Sequence, residues 1–213
     1  MIHDAYRFLI PLALAAAACL GFAVHAGGPV LWSAAGILSA MTGFVAYFFR
    51  NPPREVPAGH HLVVSPADGK VVRVATLPEA DGEMPGGQSI SIFLNIFNVH
   101  VTRAPIRGEL ERLQYRRGRF KAAFDDEASR VNEQNVLTIR GPETRIIVKQ
   151  VAGLIARRVI CWTQPGQPLA RGEVFGLIRF GSRVDVLLPP GIRLRVRVGE
   201  RVQGGSSVIA EVA

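Results

Sequence analysis

One Gly-Ser pair in the chain stands where self-cleavage chemistry could occur. Gly181 and Ser182 separate two strand-like segments, residues 174–180 and 184–188, with no Asn, Pro or second Gly nearby to mark an ordinary turn. Glycine tolerates backbone angles that other residues resist, and a strained peptide bond beside a hydroxyl group is what self-cleavage requires. The pair at 205–206 lies in a glycine-rich stretch and predicts a turn. A simple turn remains the alternative for Gly181-Ser182.

His100 is the histidine best suited to act as a general base. The chain has five histidines, and the others flank the first apolar segment or lie in a polar loop. His100 ends an apolar segment, residues 90–101, that predicts one long strand and places Asn98 on the same face if the alternation is unbroken. Imidazole changes its protonation near neutral pH, which suits a general base. A buried histidine with a structural role is the alternative.

Asp68 is the candidate carboxylate that could act together with His100 and Ser182. It stands in the sequence Pro-Ala-Asp-Gly at residues 66–69, which is first of all a β-turn sequence. Taken alone, the pattern predicts that Asp68 shapes the turn, and a chemical role requires a partner. By elimination, Asp68 and His100 are the plausible base system for Ser182.

Two apolar segments precede these residues and predict a membrane-anchoring helical hairpin over residues 1–50. Residues 8–24 and 30–49 carry no formal charge, and about 20 helical residues span the roughly 30 Å of a bilayer core. Arg7 precedes the hairpin and Arg50 follows it, while the loop between has no Lys or Arg. The positive-inside rule then predicts a cell-membrane protein with its large domain in the cytoplasm. A cleaved signal peptide, or a hairpin that enters one leaflet, is the alternative.

The remainder, residues 51–213, predicts a single mainly β domain. Short β-branched or alternating segments are separated by Gly, Pro or Asp, in the style of barrel-sandwich domains such as lipoyl carriers. No lysine occupies the tight turn that would carry lipoate or biotin. The best helical candidate is residues 120–130. The predicted strands are 71–77, 90–101, 145–151, 174–180, 184–188, 192–198 and 208–212.

The formal net charge of +8 lies on this domain. A basic domain tied to a membrane indicates contact with anionic lipid headgroups, whereas no nucleic-acid motif is found. One basic run around Tyr115 and Phe120 is either a solvated surface or a lipid-facing patch. Its members are Arg112, Arg116, Arg117, Arg119 and Lys121.

Cysteine and histidine usage predicts neither a disulfide framework nor a metal site. Cys19 and Cys161 are the two cysteines and lie far apart in sequence, which fits a reducing compartment. No Cys/His cluster has metal-ligand spacing.

Six blocks, in this order along the whole chain, resemble the short bacterial and archaeal form of the phosphatidylserine decarboxylase family. Two differences from the long forms are visible. The long forms have Leu-Gly-Ser-Thr where this chain has Phe-Gly-Ser-Arg, and they have a second histidine where this chain has Arg103. The blocks are residues 48–52, 64–71, 98–105, 132–135, 150–158 and 176–185.

The resemblance implies a proenzyme that cuts itself between Gly181 and Ser182. Asp68 would orient His100, and His100 would take the proton from Ser182 as it attacks the Gly181 carbonyl. The products would be a large chain, 1–181, and a small chain, 182–213, that stay associated. Ser182 would become a covalent pyruvoyl group, so no metal or diffusible cofactor is implied.

The resemblance further implies that this pyruvoyl group forms a Schiff base with phosphatidylserine and releases carbon dioxide and phosphatidylethanolamine. His100 is the candidate proton donor, and Arg103 and Asn98 are candidate substrate-binding residues. Two other functions stay open. One is a membrane-anchored serine hydrolase that uses Ser182, His100 and Asp68 without cleavage, and the other is a non-enzymatic barrel-sandwich adaptor.

Overall fold

The computed structural model describes residues 2–122, 125, 127–154, 158–179 and 181–212. The chain divides into two compact units, Met1–Pro52 and Pro53–Ala213. The first is helical and the second is mainly β. The predicted class, a barrel-sandwich-like mainly β domain behind an α-helical hairpin, is confirmed.

The N-terminal unit is a pair of apolar helices. A 3-10 turn, His3–Ala5, leads into α1, Tyr6–Ala26, and α2 follows at Pro29–Phe48. Proline suits the first turn of α2 because its missing N–H would have no partner inside the helix. The rings of Phe8 and Phe49 stack at 5.7 Å. Both helices are long and apolar enough to cross a membrane.

The second unit contains fourteen strands and one short helix within the residues that the structure describes. The helix, α3, is Ala128–Val131. The strands are β1 Leu62–Val64, β2 Gly69–Thr76, β3 Gln88–Leu94, β4 Val101–Arg103, β5 Gly108–Arg116, β6 Gln134–Arg140, β7 Arg145–Val151, β8 Val159–Cys161, β9 Pro168–Leu169, β10 Val174–Ile178, β11 Ser182–Leu188, β12 Arg193–Leu194, β13 Arg201–Val202 and β14 Val208–Glu211.

These strands form one large sheet and two small ones. The eight-stranded sheet has the order β13-β2-β3-β11-β7-β6-β5-β9, and the three-stranded sheets have the orders β1-β14-β12 and β4-β10-β8. All strand pairs are antiparallel. Strand β11 therefore lies inside the large sheet, between β3 and β7, where it is hydrogen-bonded on both sides.

Alternate residues of β3 and β11 build the core. Ile90, Ile92 and Leu94 of β3, with Val184 and Val186 of β11, are fully buried in one apolar cluster. Each such side chain contributes about 1.5–3 kcal/mol relative to leaving it exposed. Side chains alternate between the two faces of a strand, so Ser182 shares the core-facing side with Val184. Arg183 and Asp185 face the other way.

Three of the predicted elements were wrong in extent. Residues 90–101 do not form one strand. Strand β3 ends at Leu94, a turn follows, and β4 begins only at Val101. The alternating segment 192–198 pairs as a strand only over Arg193–Leu194. The helix predicted over 120–130 is found only at Ala128–Val131, and residues 123, 124 and 126 lie outside the described part.

Candidate active site

Ser182 is the first residue of β11 and is fully buried. It pairs with Leu94 at the end of β3. Within the described residues its hydroxyl oxygen has no hydrogen-bond partner. A buried polar group left unsatisfied costs about 1–3 kcal/mol, so each such group in a native structure requires an explanation. A hydroxyl held for reaction is one such explanation.

Gly181 enters this strand with a φ of 62°. Among the described residues other than its chain neighbours, no heavy atom lies within 4 Å of the position that a Cβ would occupy. The need for glycine here is therefore conformational, because the left-handed region is costly for residues with a Cβ, by about 1–2 kcal/mol. Phe180 lies outside the described residues, and the predicted strand 174–180 ends at Ile178.

His100 reaches the same end of the sheets through the pairing of β4 with β10. Val101 of β4 stands opposite Leu177 of β10, and the Ile178 N–H donates to the His100 carbonyl at 3.1 Å. Ser182 follows Ile178 by four positions in the chain. The side chain of His100 is fully buried.

The backbone fixes the tautomer of His100. Its Nδ1 lies 2.9 Å from the carbonyl oxygen of Asn98. A carbonyl oxygen can only accept a hydrogen bond, so Nδ1 carries the hydrogen and Nε2 carries the lone pair of the neutral ring. In this tautomer Nε2 is the ring nitrogen that can accept a proton.

A turn built from two asparagines supplies that carbonyl. The side-chain oxygen of Asn98 accepts from the Asn95 N–H at 2.9 Å, and the side-chain oxygen of Asn95 accepts from the Phe97 N–H at 2.9 Å. The Asn98 N–H donates to the Asn95 carbonyl at 3.0 Å. The Asn98 side chain is thus engaged in the turn, and its role in binding substrate stays a prediction.

Asp68 is held by partners other than His100. Its Oδ2 lies 2.7 Å from Nη2 of Arg54, and its Oδ1 accepts from the Gly204 N–H at 2.8 Å. Both side chains of the ion pair are mostly buried. Among the described residues, neither oxygen is hydrogen-bonded to His100. The triad role of Asp68 stays a prediction.

Arg103 lies beside this ion pair. Its Nη1 donates to the Gly172 carbonyl at 2.8 Å, and its side chain is buried. Burial lowers the pKa of the guanidinium; the charge of Arg54 acts in the same direction and Asp68 opposes it. The residue that replaces the second histidine thus belongs to a cluster with Arg54 and Asp68. Its role in substrate binding stays a prediction.

A buried amide network, which the sequence patterns did not single out, contacts Thr102, two residues after His100. The Gln150 side-chain nitrogen donates to the Thr102 hydroxyl at 2.8 Å and to the Ile160 carbonyl at 3.1 Å. The Asn135 side chain donates to Gln150 at 3.0 Å. The network ties β6 and β7 to β4 and β8 and so stabilises the elements that carry His100. Asn135 and Gln150 fall in blocks of the family resemblance, which was the available signal.

Parts of the basic run are already neutralised within the fold. Arg116 forms an ion pair with Glu83 at 2.7 Å, and Lys121 forms one with Glu127. Contact of this run with anionic lipid stays a prediction. Within the residues that the structure describes, no group of three or more His, Cys, Asp or Glu side chains could hold a metal ion.

The described residues thus combine a mainly β domain, a buried serine after a left-handed glycine, and a buried histidine whose Nδ1 is held by a backbone carbonyl. The model of the phosphatidylserine decarboxylase family matches residues 41–210. The chain therefore belongs to the phosphatidylserine decarboxylase family.

Relatives from two genera match nearly the full length. The phosphatidylserine decarboxylase proenzyme of Solibacter usitatus (strain Ellin6076) is 51% identical over 200 residues, covering 93% of this chain and 91% of that protein. The proenzymes of Burkholderia mallei (strain SAVP1) and Burkholderia pseudomallei (strain K96243) are each 43% identical over 202 residues, with the same coverage.

Proposed function

We propose that this protein is a proenzyme that cuts itself between Gly181 and Ser182 and then decarboxylates phosphatidylserine to phosphatidylethanolamine. The observation that carries the proposal is the buried Ser182 hydroxyl, which has no partner among the described residues and follows a glycine in the left-handed region. The relatives bear the name proenzyme, which fits a chain that is cut to become active.

In the cleavage step, the Ser182 oxygen attacks the Gly181 carbonyl carbon while Nε2 of His100 takes the hydroxyl proton. The C–N bond breaks as the Ser182 nitrogen takes up that proton, and an ester joins Gly181 to the Ser182 oxygen. Loss of the Ser182 α-proton then breaks the bond between its β-carbon and that oxygen, which leaves a carboxylate on Gly181 and a carbon–carbon double bond in residue 182. The β-carbon takes up a proton, water replaces the nitrogen, and ammonia leaves, so residue 182 ends as a methyl ketone.

The arrangement around Ser182 fits the resulting pyruvoyl group. Ser182 is buried and pairs with Leu94 of β3, so a group at this position is shielded from solvent. A pyruvoyl group supplies a ketone that takes up the serine amine of the lipid and withdraws electrons as carbon dioxide leaves. Nε2 of His100 is the atom that would return a proton to the substrate.

The two chains would stay associated because strands of the small chain pair with strands of the large chain. Strand β11 is paired with β3 and β7 of the large chain, and β14 is paired with β1. The N-terminal helices would hold the enzyme in the cell membrane beside its lipid substrate, with the domain on the cytoplasmic side. That sidedness follows from the positions of Arg7, Arg50 and Arg54.

The test is whether the chain is cut into two. Wild-type protein should give two bands on a denaturing gel. The small chain should have the mass of residues 182–213 with Ser182 converted to a pyruvoyl group, which has lost both the amine and the hydroxyl oxygen of serine and carries a ketone and a methyl group. Ser182→Ala should give one band, whereas Ser206→Ala, in the other Gly-Ser pair, should still give two. Borohydride added with phosphatidylserine should attach lipid to the small chain of the wild type.

An intact wild-type chain would contradict the proposal. Labelling of that intact chain by a serine-directed phosphonate would favour the hydrolase alternative. An intact chain without labelling would favour the adaptor.

A further inference from the structure

A buried ion pair lies directly after the proposed cleavage site. Nε of Arg183 lies 2.6 Å from Oδ1 of Asp185, and the two residues are 2% and 4% exposed. A buried ion pair often contributes no more stability than well-packed apolar residues of similar volume. Its position one residue from Ser182 therefore points to a role other than stability alone.

Each remaining hydrogen bond found for this pair crosses the proposed boundary between the chains. Nη2 of Arg183 donates to the Ser91 hydroxyl at 2.6 Å, and Nη1 donates to the Asp125 carbonyl at 3.2 Å. The Ser129 hydroxyl donates to Oδ2 of Asp185. Ser91, Asp125 and Ser129 precede the cleavage site, whereas Arg183 and Asp185 follow it.

The Arg183–Asp185 ion pair and Ser182 lie on opposite faces of strand β11. Ser182 is on the side of β11 that faces the apolar core, and Arg183 and Asp185 face the other side, as the alternation of side chains requires. The guanidinium therefore does not occupy the space in front of Ser182. Its effect on the reaction must run through the backbone of residue 183.

We infer that Arg183 is a positioning residue that fixes the new N-terminal end of the small chain once the chain has been cut. This inference rests on the proposed cleavage at Gly181-Ser182. Before cleavage the peptide bond to Gly181 holds Ser182 in place. After cleavage residue 182 is a chain end, and chain ends fray unless they are tied down.

Arg183 supplies the tie at the first residue after the reactive group. It anchors the strand to β3 through Ser91 and to the segment before α3 through Asp125. These contacts hold the strand at the residue that directly follows the proposed reactive group.

The test uses the full-length protein in mixed micelles of detergent and phosphatidylserine. Arg183→Met combined with Asp185→Leu removes both charges, so no unpaired charge is left in the interior. Arg183→Lys keeps the charge but loses the forked geometry. Arg195→Met is the matched control, because Arg195 pairs with Glu211 at the surface of the same small chain.

We expect the double variant to be cleaved and to show a kcat at least about tenfold lower with an unchanged KM, because small displacements of a reacting group are costly. Arg183→Lys should recover part of that loss, and Arg195→Met should match the wild type. Hydrogen exchange at residues 183–186 should be faster in the cleaved double variant than in cleaved wild type. The same two substitutions placed in the uncut Ser182→Ala chain should change that exchange little.

The comparison of hydrogen exchange in cut and uncut chains separates positioning of the chain end from general stabilisation of the fold. Equal exchange effects in cut and uncut chains, or a normal kcat in the cleaved double variant, would overturn the inference and leave the proposed function standing. A double variant that stays uncut, while the wild type is cut, would also overturn it, because the pair would then act before cleavage. A wild-type chain that is never cut would remove both proposals.

Discussion

The carbonyl oxygen of Asn98 lies 2.9 Å from Nδ1 of His100. The histidine is thus oriented by a backbone group two residues earlier in the chain, in a turn that two asparagine side chains stabilise. In the Ser-His-Asp arrangement a carboxylate holds the corresponding nitrogen. Here a backbone carbonyl already selects the tautomer with the lone pair on Nε2, so a carboxylate is not needed for that purpose.

The first prediction is that His100→Ala stops or strongly slows self-cleavage. Removal of a general base typically costs a factor of about 10²–10⁴ in rate. Conversion of freshly made chain into two bands, followed over time on a denaturing gel, measures the effect. His60→Ala, at an exposed loop position, should cleave at the wild-type rate, and normal cleavage of His100→Ala would remove the histidine from the mechanism.

The second prediction separates the two possible roles of Asp68. Asp68→Asn removes the carboxylate charge, whereas Arg54→Met removes the ion pair but keeps the carboxylate. If Asp68 assists His100 during cleavage, Asp68→Asn should cleave at least about tenfold more slowly than Arg54→Met, since base catalysis is worth about 10²–10⁴. Cleavage rates and thermal unfolding midpoints should be measured together. Equal cleavage rates in both variants would reduce Asp68 to a residue that shapes its turn.

The third prediction concerns the left-handed backbone at Gly181. Alanine at this position should slow cleavage, because the φ of 62° is unfavourable for alanine. A steric clash is not the cause, since the described residues leave space for a Cβ there. The strain amounts to about 1–2 kcal/mol, and relaxing it moves the reactive carbonyl. Gly191→Ala is the matched control, with a φ of 85° and equally open surroundings.

Both alanine variants should lose similar thermal stability, and only Gly181→Ala should cleave more slowly. Stability is followed by thermal unfolding and cleavage by gel. Unchanged cleavage in Gly181→Ala would show that the conformation of this residue is not part of the reaction.

The fourth prediction is that Cys161 reacts slowly with iodoacetamide. Burial raises the pKa of its thiol, and a hydrogen bond with the Thr163 backbone opposes this in part. A raised pKa leaves less thiolate at a given pH, and the thiolate is the reactive form. Alkylation of Cys161, followed by mass spectrometry of its peptide in a Cys19→Ser chain, should therefore rise with pH later than in the urea-unfolded chain.

The same shift has a defined effect on stability. Below the pKa of the unfolded thiol both states are protonated and the contribution of Cys161 is fully present. As pH rises from that value, near 8.5 for a free cysteine, towards the higher folded pKa, the unfolded state ionises first and stability falls. Cys161→Ser should make the fall in unfolding free energy across this window smaller. An alkylation curve identical in folded and unfolded chains would contradict the burial argument.

Local patterns predicted only part of the secondary structure, and strand β6, Gln134–Arg140, was missed although most of its residues are buried. The predicted bounds of β7 and the two long helices agree closely with the structure because continuous apolar or β-branched sequence defines them. Strand β5 was missed because it carries charges such as Glu109, Glu111 and Arg112 on a partly exposed strand. The segment 90–101 was predicted as a single strand because alternation continues through it, whereas asparagine side chains bind the backbone and form a turn there.

The surroundings of the site residues were the part that sequence reasoning could not provide. Residue type and context singled out Ser182 and His100. The partners of Asp68 are 14 and 136 positions away in the chain, and no local pattern encodes such contacts. The contacts of Arg183 likewise come from segments brought together only by the folded sheet.

The interior position of β11 has a consequence for the order of folding and the proposed cleavage. Residues after 181 supply a middle strand of the large sheet and the middle strand of the β1-β14-β12 sheet. If the chain is cut as proposed, the precursor must complete its fold first, since neither sheet is whole without that segment. After such a cut, an unfolded molecule would have to reassemble from two separate chains, without the covalent link that made the first folding unimolecular. A cut protein that unfolds at low concentration should therefore not refold.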